Sequence, residues 1–287
     1  MTPRRPVAPL AGLRVAAPAK VNLFLHVVGR RADGFHLLES VFALVDLADL
    51  VSVRVRDDGR VVRDRNVPGV AEADDLALRA ALRLQAETGT PLGASIDVEK
   101  RIPMGAGLGG GSSDAASVLV ILNHLWGAGL SRERLAAIAL DLGADVPFFV
   151  RGRHAFVRGI GERVSPVTLP ALWIALACPA VAVPTAAIFA DPHLTRSTPS
   201  AKMEVFSESY GRNDLEQVAS ARFPDVAATL AAMRNVAPQA RMTGSGACGI
   251  AVCASRADAA NVIAALPAGV HGRVVRTLSQ HPLAQLG

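Results

Sequence analysis

The chain has 287 residues, 51% hydrophobic and 19% charged, with 30 basic and 25 acidic side chains giving a formal net charge of +5. That length suits one large domain or two ordinary ones with real cores, and the balance excludes long disorder. The charge does not describe a polyanion-binding face. Residues 1–143 carry 17 basic and 16 acidic side chains and residues 144–287 carry 13 and 9, while the densest stretch, Arg54–Arg65, is interleaved with Asp57, Asp58 and Asp64. A charge-mixed edge of that kind is a solvated surface, and no aromatic-rich recognition motif accompanies it, so nucleic acid is not an expected partner.

In chain order, Val21, Leu23, Leu25 and Val27 alternate with Asn22, Phe24 and His26, the period of a strand that places Lys20 and Asn22 on one face. Val51, Val53 and Val55 predict a second strand. Asp74–Glu87 predicts a helix closed by Gly89 and Pro91, and Ala94, Ile96 and Val98 a further strand. A glycine-packed loop runs from Pro103 to Gly111. The stretch Ser112–Trp126 is apolar almost all round and predicts a buried helix. Ser131–Leu142 predicts a helix with Ser131 as N-cap and Gly143 beyond its end. In the second half, strands are expected near Trp173–Cys178, Ala247–Cys253 and Arg273–Leu278, and helices near Asp225–Arg234 and Ala257–Leu266. The mixture, rather than strict alternation, predicts an α+β fold. The Pro-rich stretch Ser165–Pro170 is the expected boundary, giving domains 1–165 and 166–287.

Several classes drop out. Cys178, Cys248 and Cys253 make no disulfide framework or zinc spacing, so buried free thiols in a reducing cytoplasm are expected. The N-terminal stretch after Arg4 and Arg5 is a poor signal sequence. Ala171–Ala190 has no charge over 20 residues, but Pro179 and Pro184 interrupt it, which argues for strands and turns rather than a membrane span.

The strongest signal is Pro103-Met104-Gly105-Ala106-Gly107-Leu108-Gly109-Gly110-Gly111-Ser112-Ser113, with five glycines in seven positions between a predicted strand and an apolar helix. Such a backbone turns N–H groups inward, and the helix start adds the positive end of its dipole, so an anion such as a nucleotide phosphate fits. No Lys follows the glycines as in a Walker loop, the nearest acidic residue for a Rossmann unit, Glu133, falls in the next predicted helix, and His-Arg-Asp and Asp-Phe-Gly motifs are missing.

The loop resembles the phosphate-binding motif of the GHMP small-molecule kinases, and the resemblance continues through Pro18–Leu25, Arg31–His36, Leu142–Pro147, Val183–Phe189 and Thr243–Cys248. It implies a two-domain α+β fold with the active site in the interdomain cleft, ATP as co-substrate with Mg²⁺, and an alcohol as acceptor. The Arg31–His36 block narrows the acceptor to 4-diphosphocytidyl-2-C-methyl-D-erythritol, phosphorylated at its 2-hydroxyl in the non-mevalonate route to isoprenoid precursors. The alternatives are a family member acting on homoserine or mevalonate, and a non-catalytic nucleotide- or RNA-binding protein.

Transfer to an alcohol needs an in-line γ-phosphoryl group, neutralised charge and a group to take the hydroxyl proton. Asp145, in Gly143-Ala-Asp-Val-Pro147 just past a helix, suits a base as well as a carboxylate making local hydrogen bonds. Family resemblance favours the base and pairs it with Lys20, one of only three lysines beside Lys100 and Lys202. On the acceptor side the resemblance assigns Phe35 and Phe189 as stacking faces, His36 to the pyrimidine edge, and Asn22 and Thr185 to polar contacts; Thr243–Cys248 is a second glycine turn closing on the phosphates or supporting the first. Three positions depart from the family pattern: Phe35 where many relatives have Tyr, Ala106 where glycine is common, and Asp75 in place of an asparagine near the adenine. Without an acidic cluster, magnesium is expected to arrive on ATP, and no metal ligand is assigned.

Overall fold

The computed structural model describes residues 11–201 and 211–286. The N-terminal stretch and Lys202 discussed above lie outside them. The described residues begin with two long antiparallel strands, β1 (Gly12–Arg30) and β2 (His36–Arg56), then a short β3 (Val61–Arg63). Next come α1 (Leu76–Thr88), β4 (Gly93–Glu99), α2 (Gly110–Leu125), α3 (Arg132–Leu140), α4 (Val146–Arg151), β5 (Ala155–Gly159) and β6 (Arg163–Pro166). The later part holds β7 (Trp173–Cys178), α5 (Thr185–Phe189), α6 (Glu216–Arg222), α7 (Pro224–Arg234), β8 (Arg241–Met242), β9 (Gly249–Cys253), α8 (Arg256–Ala264) and β10 (His271–Arg276).

Among the described residues, one sheet has the order β3-β4-β2-β5-β6 with β1 paired to β2, and a second has the order β10-β7-β9-β8. The four layers run helix, sheet, sheet, helix. On the outer face of the first sheet, Val51, Val53 and Ile96 pack with Leu84 of α1, Leu119 and Leu122 of α2 and Phe148 of α4. Its inner face presents Val21, Leu23, Val41 and Val45 to Ile174, Leu176 and Ile250 of the second sheet. The far side of that sheet, through Ala175, Ala177 and Ala251, takes Met233 of α7 and Val262 of α8. Alternation along β7 thus serves both cores. The chain end returns to the first layer, where Leu283 is buried and Arg132 of α3 donates to its carbonyl at 2.5 Å.

The mixed α+β class and the principal elements agree with expectation, including Ser131, whose hydroxyl accepts from Arg134 N. Differences arise where glycine and proline set local geometry. The helix expected from Ser112 starts at Gly110, because Gly109 adopts φ 70° and turns the chain two residues early. Asp145 is the N-cap residue of a short helix unseen in the pattern, since α4 spans only six residues. Ala171–Ala190 forms β7, a proline-interrupted connection and α5. Among the described residues no helix is long and apolar enough to cross a membrane.

One cysteine expectation is overturned. Cys178 and Cys248 are joined by a disulfide, and Cys253 alone is free among the described residues. The cause is register: β7 and β9 pair Ala177 with Gly249, so the next positions face each other with Cα atoms 4.3 Å apart. Seventy residues of separation hide that juxtaposition in the sequence.

Candidate active site

Register breaks in β1 shape the site. β1 and β2 slip relative to each other between Pro18 and Lys20 and again between Asn22 and Leu25. At the first slip Lys20 N donates to Leu108 O of the glycine loop (2.9 Å), and at Asn22 the backbone N donates to Thr243 Oγ1 of the second glycine turn (2.7 Å). Three residues of one strand therefore hold both turns. The second slip reverses the facing, so Leu25 joins the cavity wall while His26 turns to Phe24 and Arg212; His26 does not share the Lys20–Asn22 face that uninterrupted alternation predicts.

The glycine loop is anchored rather than slack. Ile102, Ala106 and Leu108 are buried in the core between the sheets, and the intervening Gly105 and Gly107, with Gly109 just after, take positive φ. Ala106 sits at a position with no such demand, so its departure from the family pattern is harmless to the backbone. A Cβ on Gly107 would lie 3.0 Å from Thr243 O, and one on Gly109 3.0 Å from the Phe149 ring and 3.2 Å from Lys20 Cγ. Pro103, Met104 and the loop through Ser112 line a cavity of about 360 Å³. Ser113 does not line it; its hydroxyl is fully buried in α2.

Two further cavities adjoin. The central one, about 270 Å³, shares Gly107 and Gly109 with the first and is walled by Lys20, Asn22, Asp145, Thr185 and Ser245. The third, about 510 Å³, shares Leu38, Ile160 and Phe189 with the central one and adds Arg30, Phe35 and His36. The sequence-predicted site residues other than Ser113 thus line three cavities that share wall residues.

In the central cavity, Lys20 Nζ stands 3.4 Å from Asp145 Oδ2 and donates to Asn22 Oδ1 at 2.6 Å. It also lies 4.4 Å from the centre of the Phe42 ring. Asn22 Nδ2 donates to Ser40 Oγ, which donates on to Phe24 O, so the amide orientation is fixed. The lysine side chain is buried and that of Asp145 is 31% exposed. Asp145 does not cap α4 with its carboxylate, which leaves both oxygens for the cavity. Thr185 and Ser245 hydroxyls lie 2.7 Å apart. In the third cavity His36 stacks at a tilt on Phe189, ring centres 5.1 Å apart, and Phe35 is exposed at the rim.

The sequence did not reveal the buried charge cluster under the first cavity. Asp49 accepts from Arg101 N (2.5 Å), Ile102 N (2.8 Å) and Lys100 Nζ, and Lys100 also donates to Asp114 Oδ2 at 2.7 Å. Burial first, then Asp49's charge against the pull of Lys100, lifts the Asp114 carboxyl to about 7. Lysine scarcity was the available signal, since Lys100 is one of three, but its partners lie 51 and 14 residues away. Asp75, the replaced asparagine, caps α1 through Ala77 N and Leu78 N and pairs with Arg63 at 3.1 Å, so its carboxylate is engaged within the wall.

A family model described as GHMP kinases N terminal domain matches residues 75–153, and one described as GHMP kinases C terminal matches residues 196–272. A Cupriavidus taiwanensis protein named 4-diphosphocytidyl-2-C-methyl-D-erythritol kinase is 54% identical over 273 residues, covering 93% of this chain and 94% of its own. A Thiobacillus denitrificans protein of the same name is 54% identical over 267 residues, covering 93% and 96%. A crystal structure titled 4-(cytidine 5'-diphospho)-2C-methyl-D-erythritol kinase aligns with TM-score 0.79 and 36% identity over 92% of this chain and 99% of that one. A homoserine kinase from Cytophaga hutchinsonii shares the fold, with TM-score 0.65 at 18% identity.

Proposed function

The chain belongs to the GHMP kinases, and from that premise we propose that it transfers the γ-phosphoryl group of ATP to the 2-hydroxyl of 4-diphosphocytidyl-2-C-methyl-D-erythritol, giving the 2-phosphate and ADP in non-mevalonate isoprenoid precursor synthesis. The observation that carries the reading is the Lys20–Asp145 pair in the central cavity, between a glycine loop on one side and two rings with a histidine on the other.

In this reading the glycine loop and the first turn of α2 hold the triphosphate by backbone N–H groups and the helix dipole. The acceptor hydroxyl lies beside Asp145, which takes its proton as the oxygen bonds to γ-phosphorus and the bridge to the β-phosphate breaks. Lys20, fixed by Asn22 and Asp145, keeps the carboxylate oriented and offers positive charge to the transferring oxygens. A transfer of this kind is mainly positioning and charge stabilisation, which suits a site in which Lys20 and Asn22 are buried and hydrogen-bonded. Phe35 and Phe189 hold the cytosine between them, His36 meets its edge, and Thr185 and Asn22 meet the diphosphate and polyol.

Magnesium enters as part of the ATP complex. It favours phosphate and water oxygens, and among the described residues no three of His, Cys, Asp and Glu gather to hold a resident ion, so no step is routed through one. A division of the chain between β6 and β7, near Ser165–Pro170, and a cytoplasmic location belong to the same proposal. The test is an ATP-dependent assay with the cytidyl acceptor beside homoserine and mevalonate. Turnover of the cytidyl compound at least tenfold above the others is expected; equal or better use of either alcohol overturns the acceptor assignment.

A further inference from the structure

His36 is the first residue of β2, paired across the turn with Arg30, and its Nε2 accepts a hydrogen bond from Arg196 Nε at 3.0 Å. Arginine is charged at all working pH and only donates, so Nε2 carries the lone pair and the proton of a neutral imidazole must sit on Nδ1. Arg196 is not free to withdraw. Its other nitrogens donate to Phe189 O (3.2 Å), Asp191 O (2.6 Å) and Leu194 O (3.1 Å), carbonyls of the segment that ends α5 and follows it. The same guanidinium therefore fixes the histidine and the backbone of Phe189, whose ring stacks on it.

Partial burial, then the charges of Arg196 and Arg30, also push His36 below its ordinary range, which keeps the ring neutral. Arg196 lies outside the cavity lining while His36 is part of it. Among the described residues Nδ1 has no hydrogen-bond partner. The cavity wall thus offers one fixed, uncharged donor beside two aromatic rings.

We propose that Arg196 is a specificity-determining residue that locks His36 in its Nδ1–H form, so that the acceptor cavity selects a cytosine over a uracil. This rests on the kinase reading above. At ring position 3 cytosine has a lone pair and uracil an N–H. A donor on His36 complements the first and opposes the second. A histidine free to exchange tautomers would accept from uracil and lose the distinction, whereas one held by Arg196 cannot do so without giving up the Nε2 bond. Arg196 touches neither base nor phosphate in this scheme; it acts through His36.

The experiment has two arms. Long-range ¹H–¹⁵N spectra of the histidine-labelled free protein at neutral pH should show His36 as the Nδ1–H tautomer. An Nε2–H tautomer or an imidazolium overturns the inference and leaves the kinase reading intact. In kinetics, the ratio of kcat/KM for the cytidyl acceptor to that for its uridyl analogue should fall at least about tenfold in Arg196→Met, through KM of the acceptor, with KM for ATP unchanged. Arg196→Lys, which keeps a donor, should retain most of the ratio and the tautomer. An unchanged ratio in folded Arg196→Met, or loss of the ratio in Arg196→Lys with the tautomer preserved, overturns it. Should Arg196→Met fail to fold, the wild-type spectrum and the lysine variant still decide. Absence of turnover with the cytidyl acceptor would instead overturn the kinase reading itself.

Discussion

Lys20 Nζ faces Asp145 Oδ2 at 3.4 Å, long for an ion pair, while the same nitrogen holds Asn22 Oδ1 at 2.6 Å. The lysine is thus anchored by a neutral amide, and in the proposed transfer the carboxylate beside it is the group that takes the hydroxyl proton. Asp145→Asn and Lys20→Ala should each lower kcat by about 10²–10⁴-fold while changing KM far less. Steady-state kinetics on folded variants checks this, and near-normal kcat removes that residue from the mechanism.

Glycine substitutions in the loop should rank by what surrounds them. Gly105→Ala meets nothing within 4 Å and bears only the positive φ, about 1 kcal/mol of strain. Gly107→Ala adds a collision with backbone of the second glycine turn, which cannot yield as a side chain can. ATP binding should weaken least for Gly105→Ala and at least about tenfold more for Gly107→Ala, as read by nucleotide titration. Equal losses would show that only the φ matters.

Asp49 is a fully buried carboxylate that accepts two backbone N–H groups and the Lys100 ammonium. Asp49→Ala leaves those donors without their acceptor, a loss of about 3–5 kcal/mol in urea unfolding, whereas Asp49→Asn keeps one acceptor and should lose less. ATP KM should rise in both, because Arg101 and Ile102 lead directly into the loop.

Two buried groups should give opposite pH slopes. Asp114, raised to about 7 chiefly by burial, holds a proton that the unfolded chain releases. Its contribution is full below about pH 4 and is lost as pH rises toward 7. His281, lowered to about 4 by burial and then by Arg132, sheds a proton that the unfolded chain keeps. Its contribution is full above about pH 6.5 and is lost as pH falls toward 4. Between about pH 4 and 7 the two contributions oppose each other, so denaturant unfolding should tilt toward stability rising with pH in Asp114→Asn and toward stability falling with pH in His281→Asn, relative to the parent protein. Unchanged slopes would refute the assignments.

Much of the molecule was legible in sequence because local signals carried it. Period-two runs fixed β4 and the middle of β1, and the cap at Ser131 fixed α3. The glycine loop was read from composition, and Lys20, Asp145, Phe35, His36 and Phe189 from the blocks around them. What escaped depended on register and long separation: the strand slips that turn His26 away, the Cys178–Cys248 bond, the Asp49–Lys100–Asp114 cluster, and Arg196 gripping a histidine 160 residues earlier. Short elements such as α4 and α5 also escaped, since five or six residues are too few to display a period.

The clasp of residues 20–22 on both glycine turns has an evolutionary and engineering corollary. The two glycine turns and Lys20 are joined in one hydrogen-bonded unit, while the wall of the third cavity hangs on two separate segments, 31–36 and 185–196. Exchanging those segments should redraw which alcohols are accepted without recasting the transfer machinery, so new acceptors are best sought there and not among the glycines.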